Sequence, residues 1–193
     1  MKQICVFCGS GSGARAVYTE AAQSLAAALI RRHLGLVYGG SNIGLMKTIA
    51  DTMLLSGAEV TGVIPHSMVR WEVAHEGLTT LHVVDSMHER KALMAELSAG
   101  FIALPGGMGT FDELCEILTW AQLGIHRKPV GLLNVEGYYD PLLAMFDHAA
   151  AEGFIKPAHR ALLLTADHPD TLLDLLAAHQ PGAGAQWVAR EQA

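Results

Sequence analysis

The chain has 193 residues, 51% of them hydrophobic and only 17% charged, with a net charge of −6 and a pI near 5.9. That length admits one substantial α/β domain and not two. The acidic balance excludes the basic footprint that non-specific nucleic-acid binding requires, and no apolar run approaches the ~20 residues of a membrane span. The first residues, Met1 to Cys8, turn glycine-rich too soon for a secretory leader. Three cysteines, Cys5, Cys8 and Cys115, make no disulfide framework. A cytoplasmic protein with no nucleic-acid or membrane partner is expected.

In chain order, short apolar runs alternate with helical patterns. Strands are predicted at Gln3–Cys8, Gly35–Tyr38, Glu59–Ile64, Thr80–Val84, Gly100–Leu104 and Val130–Asn134, with a further one at Leu162–Thr165. Helices are predicted between them at Ala14–Arg32, Ile43–Ser56, Met87–Leu97, Thr110–Leu123, Pro141–Glu152 and Pro169–His179. Strands apolar on both faces and alternating with helices imply an α/β fold, a doubly wound, mostly parallel sheet with helices on both faces. One domain is expected over 1–180. The tail 181–193, beginning Pro181-Gly182-Ala183, has the composition of a mobile linker.

Ligands in such sheets bind beyond the carboxyl ends of the strands. Glycines cluster at three such ends: Gly9–Gly13, Gly39-Gly40 and Gly106–Gly109. The first cluster, Gly9-Ser10-Gly11-Ser12-Gly13-Ala14, fits the dinucleotide fingerprint, but the second strand ends in Tyr38-Gly39-Gly40-Ser41 without the ribose-binding acid. This turn therefore suits a mononucleotide or sugar phosphate, or no ligand at all. Cys5 and Cys8 lie three apart on one strand and face opposite sides, so they read as buried small hydrophobes. The ten histidines are scattered, and no metal site is expected.

Two helix starts carry the chemistry. Ser86-Met87-His88-Glu89 reads as a capping box, followed by Arg90 and Lys91, two cations that oppose the helix dipole. At ~100° per residue Arg90 falls on the apolar side of its helix, between Leu97 and Met94. It should meet either a ligand or a buried carboxylate of this chain. The second start, Pro105-Gly106-Gly107-Met108-Gly109-Thr110-Phe111-Asp112-Glu113, offers backbone N–H groups to an anion, with an acid beside them. Two readings of Glu113 stand: an acid in the site, or a cap three residues after an N-cap Thr110. Asp112 and Glu116 read as dipole partners of the first turns. Glu72, in an irregular connection past Pro65, reads as a loop acid or a site residue.

Met87-His88-Glu89-Arg90-Lys91, followed by Pro105 to Glu113, resembles the Lonely Guy (LOG) family of cytokinin riboside 5′-monophosphate phosphoribohydrolases, long labelled lysine decarboxylases. Val37 to Gly40, Thr119 to His126 and Lys128 to Asn134 extend the likeness, which covers about Ile4 to Ile155. The resemblance implies a Rossmann-like fold, a homodimer and hydrolysis of the N-glycosidic bond of an adenosine 5′-monophosphate. It implies Arg90 and Glu113 as the catalytic pair, and Glu72, Lys91, Gly107, Met108, Gly109, Thr110 and Thr119 as nucleotide contacts. Gly106, Phe111 and Asp112 within the same stretch, Gly39 and Gly40, and Ser10 complete the expected binding set. Asp112 stands where the family often has Glu. No cofactor is expected. Of the lysines Lys2, Lys47, Lys91, Lys128 and Lys156, none has a recognisable pyridoxal context. A nucleotide-binding module of the same fold without turnover is the alternative.

Overall fold

A computed structural model describes residues 2–69 and 74–180. Glu72 and the tail 181–193 lie outside the described residues. Seven strands form one sheet: β1 (Gln3–Phe7), β2 (Gly35–Tyr38), β3 (Val60–Pro65), β4 (Thr80–Val84), β5 (Gly100–Ala103), β6 (Val130–Leu133) and β7 (Leu163–Ala166). Every pairing between them is parallel, in the order β4-β3-β2-β1-β5-β6-β7. The longer helices are α1 (Ala16–Arg31), α2 (Gly44–Leu55), α4 (Met87–Leu97), α5 (Met108–Leu123), α6 (Asp140–Ala151) and α8 (Pro169–Ala178). The sequence reading missed three short elements: α3 (His66–Val69), α7 (Pro157–Arg160) and a 3-10 turn at Val135–Gly137. Each spans a single turn or less, too short for a helical period to register.

The alternation along β1 sorts its side chains into two layers. Ile4, Val6 and Cys8 join a core with Leu25 and Leu29 of α1, Ile49 and Met53 of α2, and Leu172 and Leu173 of α8. Cys5 and Phe7 join the opposite layer with Met94 of α4 and Leu114 and Ile117 of α5. The two cysteines therefore face opposite sides of the sheet, as their spacing requires. Each fully buried leucine contributes about 1.5–3 kcal/mol relative to exposure.

The strand order creates one switch point. From β1 the chain winds outward through β2 and β3 to β4, then returns beside β1 at β5 and winds the other way. Turns leaving β1 and β5 diverge there and open a crevice at the strands' carboxyl ends. One hydrogen bond bridges them, from the Gly9 N–H to the Pro105 carbonyl at 3.1 Å.

Candidate active site

The turn after β5 delivers the chain to α5, which starts at Met108 with Gly107 as N-cap. This start is earlier than expected and corrects the capping alternative. Thr110 lies inside the helix as its third residue, and Glu113 lies in the second turn rather than at the capping position. Gly107 has no side chain to cap with, so the first N–H groups of α5 have no side-chain cap. Thr110 is buried, and a Cβ on Gly106 would lie 2.1 Å from its Oγ1. Only glycine permits that approach.

Arg90 arrives from α4. Ser86 caps this helix, its Oγ accepting the Glu89 N–H at 3.1 Å. The Glu89 carboxylate reaches back to the Asp85 N–H at 2.9 Å, one residue beyond the N-cap amide of a standard box. Arg90 is 6% exposed. Its Nε donates to the Val63 carbonyl at 3.0 Å and its Nη2 to the Gly39 carbonyl at 3.1 Å. Nη1 lies 3.7 Å from Glu113 Oε1, and Glu113 is itself 9% exposed. Buried charges persist when paired and hydrogen-bonded, and this guanidinium has both kinds of partner. Gly39 makes the seat: a Cβ there would fall 1.9 Å from Arg90 Nη2.

A cavity of about 210 Å³ opens over this pair. Its walls include Cys8, Gly9, Ser10, Gly39, Met46, Met68, Met87, Arg90, Gly107, Met108, Gly109, Thr110 and Glu113. Of the expected site residues, the structure thus brings together Ser10, Gly39, Arg90, Gly107 to Thr110 and Glu113. Gly106 lines an adjoining cavity of about 260 Å³ with Ser10, Gly107 and Tyr138. Cys8 and three of the methionines were not foreseen as site residues. Only strand register and helix facing bring them together, and neither leaves a local motif. Burial, then the nearby Glu113, pushes the Cys8 thiol well above its ordinary pKa, so it stays protonated.

Other expected residues fall elsewhere. The Lys91 ammonium lies 2.9 Å from Asp112 and 3.1 Å from Glu116, joining α4 to α5 outside the cavity wall. Phe111 packs edge-on against Tyr139. The Gly40 carbonyl accepts the His75 N–H at 3.0 Å. Thr119 lines a separate cavity of about 170 Å³ with Cys115, Leu118 and Gln122, and its hydroxyl donates to the Cys115 carbonyl. Ala74 bridges to Ser41, and the ring of buried His75 lies 2.9 Å from Asp51. No helix among the described residues is long and apolar enough to cross a membrane. No group of three potential metal ligands occurs among them either.

Comparison with known proteins gives this geometry its context. A family model described as "Possible lysine decarboxylase" matches residues 46–176. A rice protein (Oryza sativa subsp. japonica), named probable cytokinin riboside 5′-monophosphate phosphoribohydrolase LOGL1, is 54% identical over 89% of this chain and 77% of its own. An Arabidopsis thaliana protein, cytokinin riboside 5′-monophosphate phosphoribohydrolase LOG5, is 49% identical over 93% of this chain and 79% of its own. Among solved structures, a molybdenum cofactor binding protein from Rippkaea orientalis superposes with a TM-score of 0.69 at 21% identity. It covers 92% of this chain and 97% of that one. That likeness is one of fold. With the matched model spanning α2 to α8, a stretch that holds Arg90 and Glu113, and relatives about half identical over most of the chain, the chain belongs to the Lonely Guy family of cytokinin riboside 5′-monophosphate phosphoribohydrolases.

Proposed function

We propose that this chain hydrolyses the N-glycosidic bond of N6-modified adenosine 5′-monophosphates, releasing the free base and ribose 5-phosphate. The observation that carries the reading is the buried Arg90–Glu113 pair, 3.7 Å apart, over the glycine turn at the switch point. The printed activity of relatives about half identical supports it.

The 5′-phosphate docks on the N–H groups from Gly107 to Thr110, where the helix dipole favours an anion. Holding the phosphate fixes the ribose, and binding energy remote from the reacting bond orients C1′. As the C1′–N bond lengthens, the ribose gains positive charge. The Glu113 carboxylate faces that charge and takes a proton from the attacking water. Water oxygen bonds to C1′, and the departing base leaves with the electron pair and takes a proton from solvent, which balances the proton Glu113 removes from the attacking water. Arg90, held by two carbonyls, fixes the carboxylate and turns Nη1 toward the substrate. No step calls on a group other than these side chains, the turn and water. Three free cysteines support a reducing, cytoplasmic setting.

Purified protein incubated with N6-isopentenyl-AMP or AMP is expected to release base and ribose 5-phosphate in equal amounts, read by chromatography. Glu113→Gln and Arg90→Ala are each expected to lower the rate on the order of 10²–10³-fold, as loss of a transition-state electrostatic partner does. Full activity in both variants would sink the assignment of the pair. Binding of AMP without release of base would make the chain a nucleotide-binding module instead.

A further inference from the structure

Three consecutive carbonyls in the turn before α5 are each bound by a donor from another part of the chain. The Leu104 carbonyl accepts the Tyr139 hydroxyl at 2.6 Å. The Pro105 carbonyl accepts the Gly9 N–H at 3.1 Å. The Gly106 carbonyl accepts the Tyr138 hydroxyl at 2.5 Å. In a planar trans peptide the C=O of one residue and the N–H of the next point in opposite directions. Fixing the Gly106 carbonyl toward Tyr138 therefore turns the Gly107 N–H the other way, and fixing the Pro105 carbonyl does the same for Gly106. A turn left to itself can rotate these peptides and present oxygen to an incoming phosphate, which repels it.

The two tyrosines are themselves held. The Tyr139 N–H donates to Asn134 Oδ1 at 2.8 Å, and Asn134 Nδ2 donates to Asp140 Oδ1 at 2.7 Å. Tyr138 and Tyr139 meet edge to face with centroids 4.9 Å apart, and Tyr138 meets Tyr18 in the same manner at 5.7 Å. Burial raises the Tyr139 phenol above its ordinary pKa, which keeps it a donor. Hydroxyls on rigid, interlocked rings make fixed donors. Packing alone would be served by phenylalanine at both positions.

We infer that Tyr138 is a positioning residue whose hydroxyl holds the Gly106 carbonyl away from the site and so aims the Gly107 N–H at the substrate phosphate, while Tyr139 braces the Tyr138 ring and anchors the start of the turn at the Leu104 carbonyl. The inference rests on the proposed nucleotide hydrolysis and adds the device that sets phosphate affinity.

The test compares Tyr138→Phe and Tyr139→Phe with wild type. Binding of ribose 5-phosphate and of free adenine is measured by calorimetry, alongside kcat and KM for AMP. In Tyr138→Phe, ribose 5-phosphate affinity is expected to fall and KM for AMP to rise by about tenfold, the worth of one hydrogen bond. Adenine affinity and kcat are expected to stay within twofold, a roughly uniform-binding signature. Tyr139→Phe frees the Leu104 carbonyl, two residues before Gly106 and in a peptide whose proline nitrogen carries no N–H, and is expected to shift the same two quantities less. Unchanged ribose 5-phosphate affinity in Tyr138→Phe overturns the inference, and so does an equal loss of adenine affinity, which marks general damage to the fold. A wild type that binds AMP but releases no base defeats the hydrolase reading while the binding comparison still decides this one. A wild type that binds neither AMP nor ribose 5-phosphate defeats both.

Discussion

Arg90 is a full charge among apolar neighbours, and its placement depends on a hydrogen atom where another residue has a methyl group. Gly39 has ordinary backbone angles, since its φ lies outside the left-handed region, so alanine there meets a steric obstacle only. That obstacle is the guanidinium, 1.9 Å from the new Cβ. Gly39→Ala is expected to displace Arg90 by about an ångström and to lower base release by about 10²-fold, the usual cost of such a misplacement. The thermal midpoint is expected to move by only a few degrees, because no core side chain is lost. Base release within twofold of wild type would show that the Arg90–Glu113 distance has no bearing on the rate. The same glycine read from sequence as a phosphate contact thus acts through a side chain that approaches from another helix. Sequence marks it as a close-approach position without saying what approaches.

At the level of elements, most of the fold was legible. Each predicted strand lies within a residue of the observed one: the inner strands are continuous apolar runs bounded by glycine and polar residues, and the exposed edge strand β4 is marked by its β-branched Thr80, Val83 and Val84. The Ser86 cap was legible too, being a local motif. The start of α5 was not: Thr110 matched the capping rule, yet backbone alone begins the helix at Met108, and no side-chain signal announces that. Tyr138 and Tyr139 act on carbonyls more than thirty residues away in sequence. The family resemblance implies Lys91 as a nucleotide contact, and its ammonium also ties α4 to α5 through Asp112 and Glu116. The tie lies beside Arg90 on one helix and Glu113 on the other. If Lys91 works by holding the helices, Lys91→Met and Asp112→Asn are not additive. Their double-mutant cycle in kcat/KM is then expected to give a coupling of about 0.5–1 kcal/mol, typical of a partly exposed pair. Strict additivity would make Lys91 an independent substrate contact with no part in holding the helices.

For the molecule as a whole, the apolar surface is unevenly distributed. Leu55 of α2 and Met108 at the start of α5 are exposed singly, whereas Phe154 (88% exposed), Met145 (60%) and Ile125 (51%) lie in or just after α5 and α6. Thr119 and the cavity it lines belong to the same helices. Exposed apolar side chains beside a cavity lined by Leu118, Phe146 and Ile155 suit an interaction site, and we propose that these helices pair two copies of the chain. Sedimentation at micromolar concentration is expected to give twice the chain mass, and Phe154→Glu to shift it toward one. A monomeric wild type would remove the proposal. The bridge from Gly9 to Pro105 has a consequence of a different kind. It is a main-chain amide in a loop, where solvent exchange is ordinarily fast, yet its proton is held by the opposite turn of the crevice. Deuterium enters Gly9 only when the turns after β1 and β5 part. Its exchange rate therefore measures how often the crevice opens in the resting protein, without substrate, label or turnover.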